Sequence, residues 1–216
     1  MKMRKNLLLI ILGFMLSFSG AIYAASTTSD DYQYQGTGES FYGGIQAGYA
    51  SMGYDKSWLM KKKLSITGID RMTNKGYAGN IYFGYGFNPY FAMEVGYLAT
   101  PKITFENIHD GADILDDNFY HNITYLTLRG NLLFTKRFAA FGKVGGAWIY
   151  RRRFSNNGID IAIQQNYVSA ILSLGLQFNI TPRAAMDLSC TTVSKVNDLP
   201  ITYFCGIGGS YKFWAD

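Results

Sequence analysis

From residue 40 onward, apolar and polar side chains alternate with a period of two through one segment after another. The clearest case runs through residues 164–180. Val168, Ala170, Leu172, Leu174, Leu176, Phe178 and Ile180 fall on one face, and Tyr167, Ser169, Ile171, Ser173, Gly175, Gln177 and Asn179 fall on the other. The last segment repeats the pattern, with Ile201, Tyr203, Cys205, Ile207, Gly209, Tyr211 and Phe213 set against Thr202, Phe204, Gly206, Gly208, Ser210 and Lys212. Successive side chains on a strand point to opposite faces, so this is strand and not helix periodicity.

Eight such segments are predicted, at about 40–52, 75–88, 90–101, 119–134, 137–151, 164–180, 183–194 and 200–214. Each is about as long as the tilted strand that crosses a bilayer. The connections alternate in character. Asn88-Pro89, Thr135-Lys136-Arg137 and Thr181-Pro182 are tight turns, whereas 53–74, 102–118, 152–163 and 195–199 are longer and more polar. Short turns on one side and long loops on the other are the outer-membrane pattern, with the loops extracellular and both termini periplasmic. The predicted fold is all-β, an eight-stranded antiparallel up-and-down transmembrane β-barrel. A water-soluble barrel gives the same period with its apolar face inward. Here the second face is rich in Gly, Ser, Asn and Gln, which fits an enclosed polar lumen with lipid outside.

The N-terminus agrees with export. Lys2, Arg4 and Lys5 precede an apolar run from Leu7 to Met15, and small residues follow up to Ala24 and Ala25. This reads as a signal peptide over 1–24, then a polar periplasmic tail over 25–38 and the barrel over 39–216. A membrane anchor helix is the competing reading; Ser17, Ser19 and the polar tail count against it. Past this segment nothing approaches the ~20 apolar residues of a spanning helix, so a membrane crossing has to be a closed barrel. Composition sharpens the picture: aromatics reach 16% and Gly 24 residues, while only 16% of residues are charged, against roughly 25% in ordinary domains. Loss of the three leader cations takes the net charge from +5 to +2, which removes the electrostatic case for nucleic acid.

The run Gly84-Tyr85-Gly86-Phe87-Asn88-Pro89-Tyr90-Phe91-Ala92-Met93-Glu94-Val95-Gly96-Tyr97 resembles the second hairpin of the OmpA-like transmembrane barrel family, and Phe41-Tyr42-Gly43-Gly44-Ile45-Gln46-Ala47-Gly48-Tyr49 resembles its first strand. The likeness spans about residues 39–214. It implies residence in the outer membrane of a Gram-negative cell, in a family that includes porins. Gly208, Tyr211 and Phe213 are similar to the C-terminal signal read by outer-membrane assembly machinery, although the chain continues through Trp214-Ala215-Asp216 and Gly206 replaces a usual polar residue. Larger members append a peptidoglycan-binding domain. No such segment follows the last strand here, so that tether is not expected.

Strand parity turns four charges inward, Glu94, Arg129, Lys143 and Asp187, each about five or six residues above a short turn. An eight-stranded barrel is just wide enough for side chains to fill it. Charges there must pair or hold water, because an isolated buried charge costs several kcal/mol. They read either as a network that plugs the lumen or as a charged gate in a narrow conduit. Basic runs sit where the outer leaflet should be, Lys61-Lys62-Lys63 in the first loop and Arg151-Arg152-Arg153 above Trp148 and Tyr150. They are either solvated loop charge or contacts to lipopolysaccharide phosphates, which Arg binds bidentately.

Cys190 and Cys205 lie at equal distances from the centre of the last hairpin. In an oxidising compartment they could form a cross-strand disulfide, or simply be two small lipid-facing residues. His109 and His121 lie in or beside the second long loop with Asp110, Asp113, Asp116 and Asp117 nearby. Their spacing matches no zinc motif, and solvated loop residues are the better reading. No catalytic, cofactor-binding or metal site is expected. The expected function is a non-enzymatic outer-membrane protein, structural or interacting through its loops with lipopolysaccharide, host surfaces or neighbouring cells. A narrow channel for ions or small solutes is the first alternative. A lipid-modifying enzyme is the second, for which no nucleophile–His set is evident.

Overall fold

The computed structural model describes residues 39–57, 66–110, 113–135, 137–153, 166–197 and 199–215. The described residues form ten strands: β1 (Ser40–Met52), β2 (Ile66–Thr73), β3 (Lys75–Gly86), β4 (Phe91–Ala99), β5 (Ile103–Asp110), β6 (Asp113–Leu133), β7 (Phe138–Arg153), β8 (Asn166–Asn179), β9 (Ala184–Val193) and β10 (Thr202–Ala215). Eight of them close a ring in the order β1-β3-β4-β6-β7-β8-β9-β10, every neighbouring pair antiparallel, with β10 returning to β1. This is the eight-stranded barrel that the alternation predicts.

The three short turns share one device. Asn88 Oδ1 accepts from the backbone N–H groups of Tyr90 and Phe91, at 2.9 and 2.8 Å. Thr135 Oγ1 does the same for Arg137 and Phe138, and Thr181 Oγ1 for Arg183 and Ala184. A short polar side chain at the first corner thus satisfies the two amides that the reversal strips of ladder partners. Pro at the next position in two of the three presets the turn's φ.

Outside, the barrel is apolar. Ile45, Leu126, Leu128, Val168, Leu176 and Ile207 are each more than half exposed. Aromatics bracket this band: Phe41, Phe91, Phe134, Phe138 and Phe213 toward the short turns, and Tyr49, Tyr77, Tyr97, Trp148 and Tyr203 toward the long loops. From Phe41 to Tyr49 the rise along a strand tilted by about 40° is roughly 20 Å, close to the apolar height of outer-membrane barrels. So continuous a greasy belt is far larger than the patches of a few hundred Å² that soluble monomers leave exposed.

Two findings depart from the sequence expectations. First, the segments at 53–74 and 102–118, expected as polar loops, contain β2, β5 and the first residues of β6. β2 pairs with β5 and β5 with β6, extending the barrel wall beyond the bilayer. Met52, Tyr54, Ile69, Ile103, Phe105, Ile108 and Phe119 are buried together in this extension. Second, the lumen is not polar along its whole height. Above the layer of buried charges lies a mainly apolar core of Ala50, Leu98, Ile123, Ala147, Ile149, Ile171, Val193, Leu199 and Phe204, and polar side chains return at the extracellular end with His121 and Arg151.

Candidate functional site: the filled lumen

The inward face of each strand delivers one layer of the lumen. Inward glycines face aromatic rings on the neighbouring strand: Tyr42 opposite Gly84, Tyr82 opposite Gly44, Tyr125 opposite Gly96 and Phe141 opposite Gly175. A Cβ at Gly44 would stand 2.4 Å from the Tyr82 ring and hydroxyl, and one at Gly84 would stand 2.3 Å from the Tyr42 ring. The glycines therefore make room for these inward rings, and the three tyrosines among them carry hydroxyls into the lumen.

There Glu94, 0% exposed, meets the buried cations Arg129 and Lys143. Arg129 Nη1 donates to Glu94 Oε1 at 3.0 Å, and Lys143 Nζ lies 2.5 Å from Oε2. Tyr42 OH donates to Glu94 Oε1 at 2.8 Å. The rest of the guanidinium is held by Asn131 Oδ1, 2.8 Å from Nε, and by Gln177 Oε1 on Nη2, with the plane 4.0 Å from the Phe141 ring centroid. Asp187 is placed at the same level but takes no direct cation. It accepts from Tyr82 OH, at 3.0 and 3.1 Å, and from Gln46 Nε2. Lys143 Nζ sits 4.6 Å above the Tyr82 ring and so bridges the two halves. Gln46, Asn80 and Tyr125 continue the chain of hydrogen bonds around the wall. Two carboxylates balance two cations, and most of their remaining polar contacts go to uncharged side chains, which is the arrangement that makes a buried charge set tolerable.

The four charges that parity turned inward thus occupy one layer. The hydroxyl and amide partners Tyr42, Gln46, Tyr82, Tyr125 and Gln177 were not singled out beforehand. For Tyr42, Gln46, Tyr82 and Tyr125 the signal was inward parity combined with a glycine at a facing position, whereas Gln177 faces Ala139 and Asp187 and had parity alone.

The other candidate residues fall as follows. Arg151 is 3% exposed and points into the extracellular mouth, so it is not a contact for the outer leaflet. Odd parity on β7 is the inward parity, and this corrects the reading of Arg151 within the triple-arginine run. Its Nη2 donates to Tyr54 OH at 2.8 Å and its Nε to His121 Nε2 at 3.1 Å, and rings of Phe119 and Tyr167 flank it. Arg152 and Arg153 complete the backbone of β7. Lys61, Lys62 and Lys63 lie outside the described residues. His121 is buried in this mouth cluster, whereas His109 lies in the extension, 3.4 Å from Asp70 Oδ1. The two histidines therefore serve separate environments. Cys190 and Cys205 stand directly opposite in the β9–β10 register, both facing outward, with Cα atoms 4.1 Å apart and sulfurs at bonding distance, 2.12 Å. Tyr211 and Phe213 face outward at the periplasmic end of β10. Gly208 lies against β1, where a Cβ would meet the Ile45 carbonyl oxygen at 1.9 Å.

A closed antiparallel ring, greasy outside and holding a compensated charge cluster inside, defines an outer-membrane β-barrel. The family model for the OmpA-like transmembrane domain matches residues 37–214, and the chain belongs to that family of the bacterial outer membrane. Among solved structures it is similar to the outer membrane protein OprG of Pseudomonas aeruginosa, with 16% identity, TM-score 0.56, and coverage of 84% of this chain and 99% of that one. It is also similar to Neisserial surface protein A, at 17% identity and TM-score 0.52 over 82% of this chain and 99% of that one. The N-terminal barrel of OprF from Pseudomonas aeruginosa gives 13% identity and TM-score 0.51 over 83% and 100%. At these identities the likeness concerns the fold. No curated protein sequence matches the chain significantly.

Proposed function

We propose that this protein is a non-conducting, non-enzymatic scaffold of the outer membrane that acts through its extracellular surface. The observation that carries the reading is the filling of the lumen. From Glu94 and Arg129 up to Leu199 and Phe204, the inward positions are buried side chains, charged and hydrogen-bonded below and mainly apolar above, with a few buried hydroxyls such as Ser169 and Thr202. An ion crossing this path would have to break the Glu94 pairs and then enter an apolar layer, each step costing several kcal/mol. The second support is the investment in β2, β5 and the upper part of β6, which build a stiff platform with its own apolar cluster where a simple barrel needs only loops. On this reading residues 1–24 direct export and are removed, Gly208, Tyr211 and Phe213 address the assembly machinery, and Lys61, Lys62, Lys63, Arg152 and Arg153 meet lipopolysaccharide phosphates or a ligand on another cell.

Planar bilayer recording of the purified mature protein tests the scaffold reading. No steady conductance is expected for the wild type in any salt. Steady conductance that Glu94→Ala abolishes would replace the scaffold with a gated channel. Mass spectra of lipid A altered by expression of the wild-type protein would replace it with an enzyme.

A further inference from the structure

We propose that the periplasmic mouth of the barrel is a binding site for a small oxyanion, a carboxylate or phosphate group. A cavity of about 60 Å³ opens there between the Asn88-Pro89 and Thr181-Pro182 turns, below the charge layer. That is room for about two waters, or for the head of one oxyanion. Its described lining includes the cations Arg183 and Lys212 at the wall and no Asp or Glu, and its roof is Arg129, whose charge is already met by Glu94.

The orientation of one amide points to the chemistry of the occupant. Arg129 has only donors, so Gln177 must turn its Oε1 toward Nη2. This leaves Gln177 Nε2 as a donor, and it gives its hydrogen bond to Asn179 Oδ1 at 2.7 Å. Asn179 Nδ2 is then fixed as a donor in a side chain only 5% exposed, and it has no partner among the described residues. A buried donor without an acceptor costs about 1–3 kcal/mol. Asn179 lines the cavity, as do Ser40 and Ser210. The guanidinium thus orders two amides in series so that a donor is presented beside cations. An acceptor carrying negative charge satisfies both features, whereas a water satisfies only the first. The site opens on the periplasmic side of Glu94 and shares Arg129, its partners Asn131 and Gln177, and Tyr42 with the charge layer.

The oxyanion can come from free solute or from this chain, since Asp30 and Asp31 precede Ser40, where β1 begins. The test is a ³¹P NMR titration of inorganic phosphate into the refolded mature protein in a phosphate-free detergent, with circular dichroism confirming the barrel in every variant. Saturable shift and broadening are expected for the wild type. Binding should weaken about tenfold in Lys212→Gln, the loss of one charge-assisted hydrogen bond, and also in Asn179→Leu. Equal affinity in wild type and in Asp30→Asn/Asp31→Asn assigns the site to free solute. Tighter binding in that double variant shows the chain's own carboxylates competing for the same site. A non-saturating response, or saturation that Lys212→Gln leaves unchanged, would overturn the proposal, the second variant guarding against misfolding of the first.

Discussion

Replacing Glu94 by Gln keeps the side chain's volume and removes its charge. Arg129 Nη1 at 3.0 Å and Lys143 Nζ at 2.5 Å then face an amide, and two cations stay buried against the single remaining carboxylate of Asp187. Removing one member of a buried ion pair costs about 3–5 kcal/mol, because the partner left behind keeps its desolvation penalty. With a urea slope near 2 kcal/mol per M, a loss of ~4 kcal/mol lowers the unfolding midpoint by about 2 M. Lys143→Met should cost less, since Glu94 retains Arg129 and the Tyr42 hydroxyl. The double variant Glu94→Gln/Lys143→Met restores charge balance in the layer, so its loss should fall short of the sum of the single losses by about 2 kcal/mol, within the usual range for contacting residues. The assay is reversible urea unfolding in lipid vesicles, followed by Trp fluorescence and by the gel mobility of the folded barrel. A Glu94→Gln variant within about 0.5 kcal/mol of wild type, or strictly additive losses, would refute the reasoning that these charges hold the lumen shut.

Three other outcomes follow from the same geometry. Gly44→Ala places a Cβ 2.4 Å from the Tyr82 ring, so the ring must swing and release Asp187; a loss of about 1–3 kcal/mol is expected in the same unfolding assay. Leu174→Arg, on the lipid face midway along β8, should cost about 2–4 kcal/mol and lower the folding yield in vesicles, whereas Leu174→Phe should fold normally. Reduction should shift the gel mobility of the unfolded wild-type chain but not that of Cys190→Ser. With the cysteines 15 residues apart, the chain-entropy model gives about 3 kcal/mol of stability lost on reduction.

The barrel was legible because lipid demands an unbroken apolar face, which forces period two on every crossing strand. Outside the bilayer that demand lapses, and this is where the extension went unread. In β5, Ile103 and Phe105 keep parity and Ile108 breaks it, because the register shifts between Phe105 and Ile108 and Asn107 takes a left-handed φ of 52°. One extra residue moves every following side chain to the other face, so three buried residues looked like a polar loop with scattered apolar positions. The exposed face of the same hairpin carries Asp70, Arg71, Glu106 and His109, with Arg71 and Glu106 paired at 3.7 Å, and this charge content reinforced the impression of a loop. Inside the barrel, parity turned Glu94, Arg129, Lys143 and Asp187 inward, and their side chains are buried there. It could not say that Asp187 would take hydroxyl and amide partners in place of a cation, since that depends on rings reaching across from strands far apart in sequence. The apolar upper lumen was visible only as exceptions on the polar face, Ile171 and Phe204 among them. The meaning of those exceptions emerged once closure brought them to the same height.

Spin-label accessibility along β8 tests the central claim most directly. Single nitroxides at positions 167–178, in a Cys190→Ser/Cys205→Ser background reconstituted in vesicles, are challenged with oxygen and with a water-soluble nickel chelate. A sealed barrel gives high oxygen access at Val168, Ala170, Leu172, Leu174 and Leu176, and at Ser169 and Ser173 access to neither reagent. Chelate access at Ser169 and Ser173 would mean an open aqueous lumen, and loss of the two-residue rhythm in the oxygen signal would mean that these strands do not border lipid.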